Sequence, residues 1–148
     1  MECHGGAGYV EEWPIARFYR QAPLNGIWEG SGNIICLDVL RALSQSPQAG
    51  EMFLDELKRA RGANAALDHA IGDVERQLKQ TPIEQSDARR FVEGLALALQ
   101  AALLVQHAPA FISDAFCAAR LGDAGLAYGA LSEKVDNAAI IARAMPRS

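Results

Sequence analysis

The sequence predicts an all-α chain, folded as an up-down helical bundle. Three observations carry that expectation. Alanine supplies 27 of the 148 residues, while Ile, Val and Thr together supply 16. A composition rich in Ala and poor in Val and Thr favours helix and argues against a large sheet. Apolar residues then recur at helical spacing through most of the chain, and the links between these stretches are short, which makes a bundle the default architecture.

The elements follow in order. Residues 1–46 hold Gly5, Gly6, Gly8, Gly26, Gly30 and Gly32 together with both tryptophans. Such a stretch is tight-turned and site-like. Within it, Ile15 to Arg20 suits a short helix with Pro14 at its first position. A second helix is expected from Gly32 or Asn33 to about Leu43. Its apolar residues Ile34, Ile35, Leu37, Val39, Leu40 and Leu43 cover much of its circumference, the pattern of a buried helix.

After Ser46 the composition shifts. A helix is expected from Pro47 to about Arg61, with Ser46 as N-cap and Phe53, Leu57 and Ala60 in one stripe. The next runs from Asn64 to about Gln80. There Leu67, Ala70, Ile71, Val74 and Leu78 give the strongest helical period in the sequence. Thr81-Pro82-Ile83-Glu84 has the pattern of a capping box and predicts the start of a third helix, which Pro109 stops just after His107. The most apolar stretch, Leu95 to Val105, lies inside it. At 11 residues it falls short of the ~20 that span a bilayer, so it reads as a buried central helix. Further helices are expected from Ala110 to Leu121, ending at Gly122, and from Val135 to Ala144, with breaks at Gly125 and Gly129.

Charge and cysteine content exclude some functions. Eighteen acidic and 14 basic side chains give a net charge of −4. A chain of that sign has no overall attraction for nucleic acid or anionic membrane. Cys3, Cys36 and Cys117 are odd in number and widely spaced, which fits a reducing cytoplasm better than a disulfide framework. No basic region followed by an apolar stretch opens the chain, so no secretory signal is visible. Cys3 and His4 have no further Cys or His nearby to complete a zinc site, and no metal is expected. His69 and His107 read as surface or helix-end residues.

The chemistry concentrates in Ile27-Trp28-Glu29-Gly30-Ser31-Gly32-Asn33. The glycines let backbone approach a flat or phosphorylated ligand closely. Free N–H groups at the helix start can hold phosphate or carbonyl oxygens. A carboxylate beside Trp28, if partly desolvated, suits proton transfer. The same residues also read as a plain glycine turn capped by Ser31, with Glu29 solvated or favouring the helix dipole.

Five pieces in order decide between these readings. They are Gly5-Gly6-Ala7-Gly8-Tyr9, Glu12-Trp13-Pro14, Arg17-Phe18-Tyr19-Arg20, Ile27-Trp28-Glu29-Gly30-Ser31 and Leu40-Arg41-Ala42. Together they resemble the C-terminal signature of the acyl-CoA dehydrogenase family. Trp28 to Asn33, followed by Cys36-Leu37-Asp38-Val39-Leu40-Arg41, is similar to the AidB-like branch, bacterial flavoproteins of the alkylation-damage response. The resemblance divides the chain into 1–46, the active-site edge of the family's C-terminal helical domain, and 47–148, the extra helical region of that branch.

The resemblance implies an FAD-dependent dehydrogenation of an acyl-CoA thioester. Glu29 matches the general base that removes the α-proton. Ile27, Trp28, Gly30, Ser31, Gly32 and Asn33 match positions at the FAD. Gly5 and Gly6 match a turn that reaches the flavin nucleotide of a partner subunit, so a homo-oligomer is implied. Two departures stand out. Ser31 replaces the usual Thr and keeps its hydroxyl, and Gln21 follows Arg20 where Asp is usual. The family's N-terminal and middle domains have no counterpart here, so the chain reads as a C-terminal piece, inactive by itself. The alternative implied by the same branch is a non-catalytic module for oligomerisation or DNA association. Arg41 falls at a matching basic position, and Lys58-Arg59-Arg61, Arg89-Arg90 and Arg143 with Arg147 form local clusters. Residues 47–148 nevertheless carry 13 acidic and 11 basic side chains, whereas DNA-binding surfaces are usually strongly basic.

Overall fold

A computed structural model describes residues 1–80, 82–122 and 129–146 of the chain. Among the described residues there are helices and turns and no strand, as the composition predicts. The α-helices are α1 (Pro14–Gln21), α2 (Gly32–Gln45), α3 (Pro47–Lys58), α4 (Ala65–Lys79), α5 (Ala88–His107), α6 (Ala110–Arg120) and α7 (Asn137–Ala144). Short 3-10 turns cover Glu2–Gly8, Ala22–Gly26 and Gln85–Asp87.

Local chemistry sets most boundaries. Pro14 and Pro47 open α1 and α3, where a missing N–H costs nothing. α3 ends at Lys58, three residues before the expected Arg61. The N–H groups of Arg59, Ala60 and Arg61 each bond three residues back, so the chain tightens there while Ala60 still faces the core. Gly62 turns the chain at φ +89° and donates its N–H to Asp68 at 2.8 Å. Asn64 then caps α4, its Oδ1 accepting from the N–H groups of Ala66 and Leu67 at 3.0 Å and 3.3 Å. The Asn64 amide also donates to Asp114 at 3.2 Å, tying the start of α4 to α6.

α5 is the centre of the bundle and packs against α2, α3, α4 and α6. Ala98, Ala101 and Ala102 are fully buried on it. Side chains of one carbon permit close approach of neighbouring helices, which is what the alanine content is for. Leu57 from α3, Leu67, Ile71 and Val74 from α4, Phe91 and Leu95 from α5, and Cys117 from α6 complete the core. The period read from Leu67 to Val74 is therefore realised.

Four expectations need correction. The third long helix begins at Ala88, not at Pro82: Glu84 is extended (φ −66°, ψ 142°) and the Gln85–Asp87 turn intervenes before α5. Thr81, the proposed cap, lies outside the described residues, as do Gly125 and Arg147. α2 is not buried all round. Only Cys36 is buried on it, and Ile34 and Ile35 are exposed, because its neighbours α3 and α5 cover one side alone. Ser31 and Ser46 occupy N-cap positions, but neither side chain makes the capping bond. The last helix starts two residues late, at Asn137, with Asp136 accepting from the Ala139 N–H at 3.0 Å.

One carboxylate links α3 to α4. Glu75 Oε1 lies 3.3 Å from Lys79 Nζ and 3.9 Å from Lys58 Nζ, and its Oε2 lies 3.4 Å from Arg61. The hydrogen bond and charge of Lys79, with Lys58 and Arg61 behind them, hold the Glu75 carboxyl below the ordinary glutamate value. A depressed folded value means that the unfolded chain binds the proton first. This contribution is thus complete above the ordinary carboxylate range of about 4.3 and is lost as pH falls through the lower folded value. Glu75→Gln is expected to flatten that part of the curve of urea midpoint against pH. An unchanged acid slope in the variant would place the sensitivity elsewhere.

Candidate functional site

The segment that carries the candidate site is a run of successive tight turns. The Ile27 N–H bonds to the Leu24 carbonyl at 3.0 Å, and the Gly30 N–H bonds to the Ile27 carbonyl at 3.2 Å. Glu29 is the third residue of this second turn and has φ +61°, the one described non-glycine residue with positive φ. Turn positions of this kind ordinarily hold Gly or Asn. A side chain with a Cβ costs roughly 1–2 kcal/mol there. The strained position holds a carboxylate, and such outliers concentrate at functional sites. Gly30 follows at φ +116°, a backbone that only glycine adopts freely, and α2 begins two residues later.

Glu29 is exposed, and Trp28 beside it is 62% exposed. The desolvated pocket that would tune a base is therefore not supplied by the described residues. Ile27 and Trp28 present apolar surface outward, together with Tyr9, Trp13, Phe18 and Tyr19. Each of these six side chains is more than half exposed. Gly5, at φ +55°, and Gly6 are exposed, and a Cβ built on either would meet open space. Ser31 supplies its carbonyl to the Ile35 N–H, so the N–H groups of Gly32, Asn33 and Ile34 head α2. Gly32 and Asn33 meet an unforeseen residue. Arg89, at the start of α5, donates to Asn33 Oδ1 at 3.1 Å, across 56 positions of sequence.

The departure at Arg20-Gln21 has a local resolution. Arg20 donates to both Glu11 oxygens, at 2.6 Å and 3.0 Å. That hydrogen bond and charge hold the Glu11 carboxyl below its ordinary value and raise the guanidinium. Arg20 is thus ion-paired, with an acid nine residues upstream. No spacing rule pointed to Glu11.

The proposed basic positions are mostly matched by acids. Arg41 pairs with Asp38 on α2. Arg59 pairs with Glu56 at 2.9 Å, and Lys58 and Arg61 share Glu75. A groove of about 880 Å³ lies between α2, α3, α4 and residues 82–85, with Arg41 and Lys79 set against Glu51 and Glu75 in its lining. Glu29 does not line it. Among the described residues, no three His, Cys, Asp or Glu side chains are grouped to hold a metal ion.

Residues 1–44 match the family model described as acyl-CoA dehydrogenase, C-terminal domain. The turn with Glu29 and the first three turns of α2 thus fall within it. The "Putative acyl-CoA dehydrogenase AidB" of Escherichia coli (strain K12) is 35% identical over 137 residues, or 93% of this chain. The chain belongs to the acyl-CoA dehydrogenase family. It corresponds to an AidB-like C-terminal region of that family, because the likeness to AidB runs on well past residue 44. Acyl-CoA dehydrogenase family member 11 of Caenorhabditis elegans is 28% identical over 127 residues, 73% of the chain. The chain spans a quarter of the length of AidB and 21% of the nematode protein. Within the acyl-CoA dehydrogenase family, then, the segment whose backbone is strained and whose apolar surface is uncovered is the one that matches the family model.

Proposed function

We propose that this chain supplies the C-terminal part of an FAD-dependent acyl-CoA dehydrogenase-like protein and does not act alone. The observation that carries the reading is Glu29, a carboxylate held at positive φ directly before the glycine-rich start of α2, in a chain of this family. Glu29 is the base. Its carboxylate removes the α-proton of an acyl-CoA thioester, while the β-carbon releases its hydride and the α,β-bond becomes double. FAD, when bound, accepts that hydride.

The residues present fit one edge of such a group. Gly5 and Gly6 offer open backbone that a side chain would fill, and the α2 N-terminus offers N–H donors. Gly30, Ser31, Gly32 and Asn33 line the edge next to Glu29, and Ile27 and Trp28 give it an apolar wall. Desolvation of Glu29 waits on surface from outside this chain. In this reading residues 1–46 form the site edge, and 47–148 are the added helical region of the AidB-like branch. The exposed apolar side chains of residues 9–35 pack against the flavin-bearing domains, and the Gly5-Gly6 turn reaches the flavin nucleotide of a second subunit, so the working form is an oligomer.

A cytoplasmic setting suits the exposed Cys3 and the buried Cys36 and Cys117, none of them in a disulfide. Burial, and then the Asp114 charge, push the Cys117 thiol up, away from reactivity. No helix among the described residues is long and apolar enough to cross a membrane. DNA association gains no support from cations matched by Asp38, Glu56 and Glu75.

The test is spectroscopic. The purified 148-residue chain is expected to be colourless and without acyl-CoA turnover. The same chain joined to the family's N-terminal domains should carry flavin in stoichiometric amount. Stoichiometric flavin on the isolated chain, or none on the joined protein, overturns the proposal.

A further inference from the structure

Arg89 stands outside the segment that matches the family model and yet touches it at the site edge. Its Nη1 donates to Asn33 Oδ1 at 3.1 Å, and a Cβ added to Gly32 would sit 3.0 Å from the same nitrogen. The guanidinium therefore lies over the backbone at the start of α2, where a side chain at position 32 would crowd it by a few tenths of an ångström. No carboxylate within ion-pair distance of Arg89 occurs among the described residues, so its partner there is the neutral Asn33 amide.

The chemistry of that contact fixes a direction. A guanidinium has donors and no acceptor, and an Asn amide has one acceptor oxygen and one donor nitrogen. Of the two ends of that amide, Arg89 can bond only Oδ1. With Oδ1 held towards α5, the Asn33 NH2 group is turned to the other side. Were Arg89 absent, the amide would be free to present either end.

We propose that Arg89 is a positioning residue: it sets the Asn33 amide so that Nδ2 donates to an acceptor oxygen of the bound flavin nucleotide. The added helices thereby take part in flavin binding without touching the flavin. This inference rests on the reading of Gly30 to Asn33 as a flavin edge.

Two measurements test it, and they separate its failure from failure of that reading. In the full-length flavoprotein, FAD is titrated into the apoprotein. Arg89→Ala is expected to weaken FAD binding by about tenfold, the scale of one lost hydrogen bond, and Arg89→Lys to restore most of it. Asn33→Asp keeps an oxygen for Arg89 but replaces the donor by an acceptor. It should therefore weaken FAD as much or more, with the thermal midpoint of the apoprotein unchanged or raised. A purely structural contact predicts the reverse, with Asn33→Asp harmless to FAD. The double variant Arg89→Ala/Asn33→Asp should bind no more weakly than Asn33→Asp alone. FAD affinity unchanged in Arg89→Ala or in Asn33→Asp, or effects that simply add, overturn the inference. The second measurement needs no flavin. In the 148-residue chain, the side-chain amide resonances of Asn33 should shift in Arg89→Ala and return in Arg89→Lys; resonances indifferent to both variants also overturn it. A wild-type full-length protein without FAD sinks the proposed function instead and leaves this resonance test standing.

Discussion

Glu29→Gln, made in the full-length flavoprotein, is expected to lower acyl-CoA turnover by about 10²–10⁴-fold, the range over which a positioned general base contributes. Flavin content and its visible spectrum should stay as in the parent. The amide is isosteric with the carboxylate and remains neutral, so it preserves the turn but cannot take a proton. The same turn also makes a structural prediction for the variant. The substituted side chain inherits the φ of +61° that Glu29 adopts, so the strain persists and the folded chain is neither relieved nor further burdened. Turnover within about twofold of the parent would move the base to another residue. Loss of flavin together with turnover would instead mean that Glu29 helps shape the cofactor edge. The two readouts must therefore be taken on one preparation.

The second large effect lies in the bundle. Leu57 has no exposed surface and stands among Leu67, Ile71, Phe91, Ala98 and Ala101 in the core cluster. Leu57→Ala removes buried methyl groups and leaves a cavity that fixed helices close only in part. The expected loss is about 3 kcal/mol, within the range for such truncations. For a domain whose total stability is of the order of 5–15 kcal/mol, that is a major fraction, and the thermal midpoint should fall by roughly 10 °C. Met52, on the same helix and 73% exposed, is the control. Met52→Ala should stay within about 0.5 kcal/mol of the parent. A Leu57→Ala midpoint equal to that control would mean that α3 is not part of the cooperative core.

The helices were legible in the sequence wherever one face does one job. Leu67, Ile71 and Val74 recur at helical spacing and are buried together, and the expected start at Asn64 is where α4 is capped. Legibility fails where the outcome depends on what lies opposite. The apolar circumference of α2 is real, but a period shows only which residues are apolar, not which are covered. Ile34 and Ile35 are exposed because α3 and α5 reach one side alone. The start of α5 fails for a different reason. Pro82 is compatible with a first helical turn and equally with extended chain, and Glu84 takes the extended form. In the site, the order of glycines, Trp28 and Glu29 is readable as a motif. The positive φ of Glu29 is not, since nothing in a glutamate favours that backbone. The Arg89–Asn33 bond spans 56 residues, and Arg20 takes Glu11 instead of a neighbour at position 21. Pairings of that kind are set by how helices and turns stack, which one-dimensional spacing does not encode.

The segment before α2 makes its helix contacts chiefly within itself: α1 lies against the Glu2–Gly8 and Ala22–Gly26 turns, while the bundle proper begins with α2. Regions with few buried apolar contacts open at lower free energy than the core they adjoin. Amide exchange in residues 1–31 is therefore expected to report a lower opening free energy than exchange in α4 and α5. In the assembly proposed above, packing of this end against the flavin-bearing domain carries the cost of holding it in place, and part of the contact energy is consumed in ordering. Association of this kind is weaker per unit of buried area and easier to reverse than the joining of two rigid surfaces.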